Sequence, residues 1–137
     1  MKTPSRSPTK PRIVLCEEDH DRLSALADAV ADNAPDLADV LMAEMQRARV
    51  VKRSALPETV ARMGSRVTFR TENGRERTVT LVFPKEADIA LGRLSILTPV
   101  GVALIGLSEG QNMRWTGRDS TDHELTVLSV AQDVDVA

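Results

Sequence analysis

Four aspartates lie close together in the first half of the chain: Asp28, Asp32, Asp36 and Asp39. Asp28 and Asp32 are one helical turn apart, and Asp36 and Asp39 begin the next predicted helix. Carboxylates suit Mg²⁺, but a few of them on an exposed tip bind it weakly without other ligands. The alternative is that they are solvated helix residues, with Asp36 also favoured by the helix dipole. We predict no metal site here and treat Asp32, Asn33 and Asp36 as candidate partner contacts.

Other chemistry-bearing residues do not form a catalytic pattern. Ser120, Asp122 and His123 have the residue types of a nucleophilic triad, but triads are assembled from separated elements. His20 lies among acidic residues at a helix start, where a surface role is expected. Cys16 has no base or cation close in sequence and is predicted to be a packed thiol. The sequence therefore predicts no catalytic residue, no cofactor and a protein that is not an enzyme.

Length and composition limit the architecture and the partners. The 137 residues are 42% hydrophobic and 28% charged, with a net charge of -2, which argues against general nucleic-acid binding. No segment has the apolar length needed to cross a bilayer, and a single cysteine fits a reducing compartment. We expect a cytoplasmic monomer with no membrane partner and no sequence-specific nucleic-acid binding. Residues 1–12 are basic and rich in Pro and Ser, which predicts a disordered tail.

Residues 13–50 are predicted to form an antiparallel helical hairpin, a short coiled coil. Apolar residues recur at three- and four-residue steps in two stripes, which Asn33, Ala34 and Pro35 separate. Pro35 suits the first position of the returning helix. Arms of roughly 15 residues give a rod of about 23 Å. Residues 17–49 hold nine acidic and three basic side chains, so the hairpin is acidic.

Residues 51–137 are predicted to form an antiparallel sheet domain with one packed helix, which makes the chain α+β. The first strand contains Val67 and Phe69, and Asn73-Gly74 predicts a tight hairpin turn before the second strand. Further strands are predicted over 93–97, 111–115 and 124–130.

The predicted helix lies in LTPVGVALIGLSEGQNMRW, residues 97–115, and contains an unusual number of glycines. Thr98 is a candidate N-cap, Pro99 the first helical residue, and 108–110 the predicted end. Each glycine costs a helix roughly 1 kcal/mol relative to alanine. We therefore expect these glycines to permit close packing of the helix on the sheet.

The same stretch resembles the S-P-x-G-x-A-L-x-G-x-x-x-G-D segment of the Gre family of transcript cleavage factors. The matching residues are Thr98, Pro99, Gly101, Ala103, Leu104, Gly106 and Gly110, with Gln111 in place of the final Asp. M-G-S-R-V-T-F-R at 63–70, T-L-V-F-P at 80–84 and Trp115 bring the sequence closer to the short Rnk branch, the regulators of nucleoside diphosphate kinase.

This resemblance implies an FKBP-like sheet domain and binding to bacterial RNA polymerase at the secondary channel. Pro99, Val100 and Gly101, near the start of the predicted helix, are candidate contacts, with a purely structural role as the alternative. Because a rod of about 23 Å is too short to reach the catalytic centre from that docking position, we expect the hairpin to occupy the channel without cleavage, in competition with Gre-type factors. A regulator that binds another enzyme, such as nucleoside diphosphate kinase, is the alternative. A peptidyl-prolyl isomerase is a weaker one, because the chain has only Phe69, Phe83 and Trp115 to wall a proline pocket.

Overall fold

The computed structural model describes residues 10–116 and 120–132. The described residues form three α-helices, α1 (Glu17–Ala29), α2 (Pro35–Arg47) and α3 (Pro99–Leu104). They also form seven strands: β1 (Val14–Cys16), β2 (Arg49–Val51), β3 (Ser65–Thr71), β4 (Glu76–Val82), β5 (Arg93–Ser95), β6 (Asn112–Thr116) and β7 (Asp122–Gln132). Short 3-10 turns cover Arg53–Ala55, Pro84–Glu86 and Ile89–Leu91. The predicted α+β class is confirmed.

The predicted helical hairpin is present. α1 and α2 pack together through apolar side chains, and Leu23 and Leu41 are completely buried. The His20 Nε2 atom at the start of α1 lies 3.0 Å from the carbonyl oxygen of Met45 near the end of α2. The two helices are therefore antiparallel. Pro35 is the first residue of α2, as its missing N–H predicts.

A two-stranded parallel sheet, which the sequence analysis did not predict, closes the base of the hairpin. β1 precedes α1 and β2 follows α2, with Val14 opposite Arg49. The Val14 N–H also donates to the Gly106 carbonyl, at 3.1 Å. A backbone hydrogen bond therefore attaches the base of the hairpin to the sheet domain.

The main sheet has five strands in the order β5-β4-β3-β7-β6. The predicted Asn73-Gly74 turn connects β3 and β4, and Gly74 has a φ of 82°. The expectation of a purely antiparallel sheet is wrong, because β5 pairs in parallel with β4. The chain passes through two 3-10 turns between these strands, which gives it the length to return in the same direction.

α3 begins where the sequence predicts it and ends earlier. The Thr98 hydroxyl accepts a hydrogen bond from the Gly101 N–H at 3.0 Å, and Pro99 is the first helical residue. The predicted end at 108–110 is wrong, because the helix stops at Leu104 and Gly106 has a φ of 83°. This left-handed conformation is unfavourable for residues with a Cβ and ends the helix.

One hydrophobic core unites the hairpin with the sheet. It includes Leu23, Leu41 and Met45 from the helices together with Phe69 and Leu81 from the strands. The hairpin consequently lies on the sheet domain and shares its buried surface. The predicted boundary between residues 50 and 51 therefore marks a change of sequence pattern, and residues on both sides of it contribute to one core.

The N-terminal segment that the structure describes contacts α2. Lys10 forms an ion pair with Glu44 at 3.6 Å, and the Arg47 guanidinium donates to the Pro11 carbonyl. Residues 1–9 of the predicted tail lie outside the described residues. Residues 10–12 are thus placed against the hairpin by an ion pair and a hydrogen bond.

Candidate partner-binding groove

A groove of about 1310 Å³ is lined by residues of α2, α3 and the outer strand β6. We refer to it as the α2–β6 groove. Asp36, Leu37, Val40 and Glu44 face it from α2, and Pro99, Val102 and Ala103 from α3. The remaining walls come from Lys10, Pro11, Glu72, residues 112–116 and residues 122–124.

The structure brings together only two of the six residues that the sequence singled out. Asp36 and Pro99 line the α2–β6 groove. Asp32 and Asn33 are exposed in the bend and do not line it. α1 ends at Ala29, so Asp32 lies beyond the helix. The prediction that Asp28 and Asp32 lie one turn apart on the same helix is therefore wrong.

Val100 and Gly101 contribute to packing. Val100 is half-buried against the core, and Gly101 is buried. A Cβ atom at Gly101 would lie 2.4 Å from the Ser95 carbonyl oxygen and 2.9 Å from the Ile96 Cα. Both neighbours are backbone atoms with little freedom to move. Gly101 therefore permits the close approach of α3 to the chain before it, as the glycine content predicted.

The sheet edge of the groove carries an aromatic pair beside two carboxylates. Trp115 on β6 lies opposite His123 on β7, and their rings stack with centroids 5.3 Å apart. His123 Nδ1 lies 3.3 Å from a Glu72 carboxylate oxygen. The other oxygen of Glu72 accepts the Glu124 N–H at 2.9 Å, which is the main cause of a lowered pKa for Glu72. Glu72 is consequently held as an anion.

Residues on neighbouring elements stabilise the rest of the rim. The Asn112 amide donates to Glu124 at 2.6 Å, and Arg114 lies 3.6 Å from the same carboxylate. On the α2 side, Glu44 is buried and accepts the Arg47 guanidinium on both oxygens. Acidic groups thus lie on both walls of the groove. Hydrogen bonds and ion pairs with neighbouring residues hold the carboxylates of Glu44 and Glu124 in position.

The described residues of the groove form neither a metal-binding cluster nor a catalytic triad. No group of three or more His, Cys, Asp or Glu side chains among residues 10–116 and 120–132 could hold a metal ion. Asp122 is bonded to the Thr116 hydroxyl and His123 to Glu72, so these two do not act on each other as in a triad. Cys16 is completely buried, as predicted for a packed thiol, and burial raises its pKa.

The sequence analysis did not identify Glu72, His123 and Glu124 as groove residues. They are brought together by the register of β6 on β7 and by the turn after β3. Trp115, the single tryptophan of the chain, lies beside them and is half-buried against the core.

Comparison with known proteins identifies the family. Residues 11–51 match the model of the Rnk N-terminus, and residues 56–132 match that of the C-terminal domain of the transcription elongation factors GreA and GreB. The regulator of nucleoside diphosphate kinase from Escherichia coli K12 is 32% identical over 130 residues, which cover 94% of this chain and 96% of that protein. The chain belongs to the Rnk family. The resemblance recognised in the sequence is confirmed.

Structural similarity links this Rnk family member to the Gre factors. A transcription elongation factor GreA/GreB from Nitrosomonas europaea has a TM-score of 0.70 and 36% identity, covering 88% of this chain and 99% of that one. Elongation factor GreA from Syntrophobacter fumaroxidans is 37% identical over 75 residues, which span 48% of its length. The matched region therefore spans about half the length of that GreA protein.

No helix in the described part of this Rnk family member is long and apolar enough to cross a membrane.

Proposed function

We propose that this protein is a non-catalytic regulator of transcription that binds bacterial RNA polymerase at the secondary channel and competes there with Gre-type factors. The observation that carries this proposal is the match of residues 56–132 to the C-terminal domain of GreA and GreB. We take this region to be FKBP-like and to grip the rim of the channel. The protein acts as a monomer in the cytoplasm, where it meets the polymerase.

The length of the hairpin supports occupancy without transcript cleavage. α1 and α2 contain 13 residues each, so each arm is about 20 Å long at 1.5 Å per residue. Part of that length is buried, because Leu23 and Met45 belong to the shared core. A rod of this length, partly buried in the core, is too short to deliver carboxylates to a distant catalytic centre.

Charge supports the direction of insertion. Residues 17–49 carry nine acidic and three basic side chains, whereas residues 50–137 carry eleven of each. An acidic hairpin is steered toward a channel lined by positive charge, and added salt weakens that steering. Asp32, Asn33 and Asp36 at the bend contact the channel wall. Pro99 and the half-buried Val100 contact its rim, next to Gly101, which the packing of α3 requires.

Binding to nucleoside diphosphate kinase is the second candidate function. It is favoured by the name of the Escherichia coli relative, which matches nearly the whole chain. Peptidyl-prolyl isomerase activity has less support. Phe69 is completely buried in the core, and Trp115 is the only Phe, Tyr or Trp side chain that the α2–β6 groove offers within the described residues.

Affinity capture and competition test the proposal. The tagged protein should recover the large polymerase subunits from a bacterial lysate, and an added Gre factor should displace it. The double variant Asp32→Asn/Asp36→Asn should alter the effect on transcription more than it alters binding. Glu58→Gln/Glu86→Gln, which removes the same charge from exposed positions elsewhere, is the matched control. Recovery of the kinase without polymerase would overturn the proposal in favour of the second candidate.

A further inference from the structure

We propose that the α2–β6 groove is a docking site for a basic, proline-containing segment, and that residues 1–9 of the same chain occupy it. This inference concerns the free protein, in which the segment covers Asp36 and Pro99, two groove residues that the proposed function assigns to contacts with polymerase. Three features carry it: the charge of the groove, the chemistry of its apolar surface, and the place where the described chain begins.

The groove is acidic and the segment is basic. Five carboxylates line the groove, against Lys10 and Arg114. Arg47, just outside the lining, pairs with Glu44, so five negative and three positive side chains sum to a charge of -2. Residues 1–9 contain Lys2 and Arg6 and no acidic residue. Complementary charge of this kind favours association and fixes its orientation.

The apolar surface of the groove suits proline. Trp115 is half-buried, with its ring stacked on His123, and Val40 on the opposite wall is 47% exposed. Proline-rich segments adopt an extended left-handed helix that docks into grooves lined by aromatic side chains. Residues 1–9 contain Pro4 and Pro8, in the sequence MKTPSRSPT. An aromatic ring beside carboxylates matches a segment that alternates proline with basic residues.

The described chain begins inside the groove. Lys10 and Pro11 are among the lining residues and are held there by Glu44 and Arg47. The preceding nine residues can extend by at most about 30 Å, at 3.3 Å per residue. Glu44 and Asp36 lie eight residues apart on α2, which corresponds to about 12 Å along the helix. The segment is therefore tethered at one end of the groove and is long enough to follow it.

Paramagnetic broadening of the Trp115 indole signal tests this placement. Trp115 is the only tryptophan, so its indole N–H gives a single signal in the spectrum of the full chain. A nitroxide label on Ser5→Cys should broaden this signal, and reduction of the label should restore it. Cys16 is completely buried and stays unlabelled in the folded protein. A label on Ser54→Cys, an exposed position that does not line the groove, is the control and should leave the signal sharp.

Charge reversal in the labelled protein separates docking from simple proximity. Lys2→Glu/Arg6→Glu in the Ser5→Cys protein should sharpen the indole signal again. Lys52→Glu/Arg53→Glu, with the same change in net charge, should leave it broadened. An indole signal as sharp with the label at Ser5→Cys as at Ser54→Cys would overturn the inference. So would equally strong broadening in a mixture of nitroxide-labelled and separately isotope-enriched molecules, because the segment of a second copy would then occupy the groove.

Discussion

Replacing Gly101 with alanine provides a quantitative test of the packing beneath α3. An exposed helical glycine gains stability from this change, because alanine has the higher helix propensity by about 1 kcal/mol. Gly101 should behave in the opposite way. Its added Cβ would lie 2.4 Å from the Ser95 carbonyl oxygen and 2.9 Å from the Thr98 Oγ1 atom, which is the N-cap acceptor.

The expected free-energy change combines three contributions. Overpacking costs about 2 kcal/mol, within the usual range of 1–3 kcal/mol for a tight site. Displacing the Thr98 hydroxyl from the Gly101 N–H costs about 1 kcal/mol of capping. The higher propensity of alanine offsets about 1 kcal/mol. The free energy of unfolding should therefore fall by about 2 kcal/mol.

Urea denaturation followed by helical circular dichroism measures this change. With a slope of about 2 kcal/mol per molar urea, the unfolding midpoint should fall by about 1 M. Ala43→Gly on the exposed face of α2 is the control, because it isolates helix propensity and should cost about 1 kcal/mol. An unchanged or increased stability of Gly101→Ala would refute the close-packing explanation of this glycine.

Three further perturbations test local features by urea denaturation. Arg47→Ala leaves the buried carboxylate of Glu44 without its guanidinium and should cost about 3 kcal/mol; a loss below about 1 kcal/mol would show that the pair contributes little. Thr98→Val removes the cap acceptor and should cost about 1 kcal/mol, whereas Thr98→Ser should preserve most of the stability. Burial raises the pKa of the Cys16 thiol in the folded protein. The stabilisation linked to this shift is fully present below the unfolded pKa of about 8.5 and is lost as the pH rises through the pKa of the folded protein. The wild type should therefore lose stability relative to Cys16→Ala between about pH 7 and about pH 9.5, and an equal response of both proteins would contradict this expectation.

Local sequence signals predicted the elements with strong periodicity or specific termini. The two helical stripes, Pro35 at the first position of α2 and the Thr98 cap are each confirmed. These features depend on residues within a few positions of one another, so their physical causes are present in the sequence itself. The Asn73-Gly74 turn is predictable for the same reason.

Tertiary contacts decided the features that local signals did not predict. β1 and β2 have three residues each, too few to show a period, and they pair across the whole hairpin. The strand at β5 was predicted, but its parallel pairing with β4 depends on the 3-10 turns between them. The early end of α3 depends on Gly106, whose added Cβ would lie 2.8 Å from the Ile13 Cβ. The end of the helix is therefore coupled to the strand that enters the hairpin.

The candidate site was predictable only in part for the same reason. Asp36 and Pro99 were singled out separately, and the fold places them in one groove. Glu72 and His123 meet through a 3.3 Å contact across 51 residues of sequence. Such a contact depends on strand register and on the β3–β4 turn, which a short sequence window does not specify.

Transcript cleavage by halted elongation complexes tests the central claim most directly. Purified protein would be added over a concentration series, first alone and then with a fixed amount of GreA. The proposal predicts no cleavage by the protein alone and a progressive loss of GreA-dependent cleavage as its concentration rises. Added salt should weaken this inhibition. Cleavage stimulated by this protein alone, or GreA-dependent cleavage that stays unchanged at the highest concentrations, would contradict it.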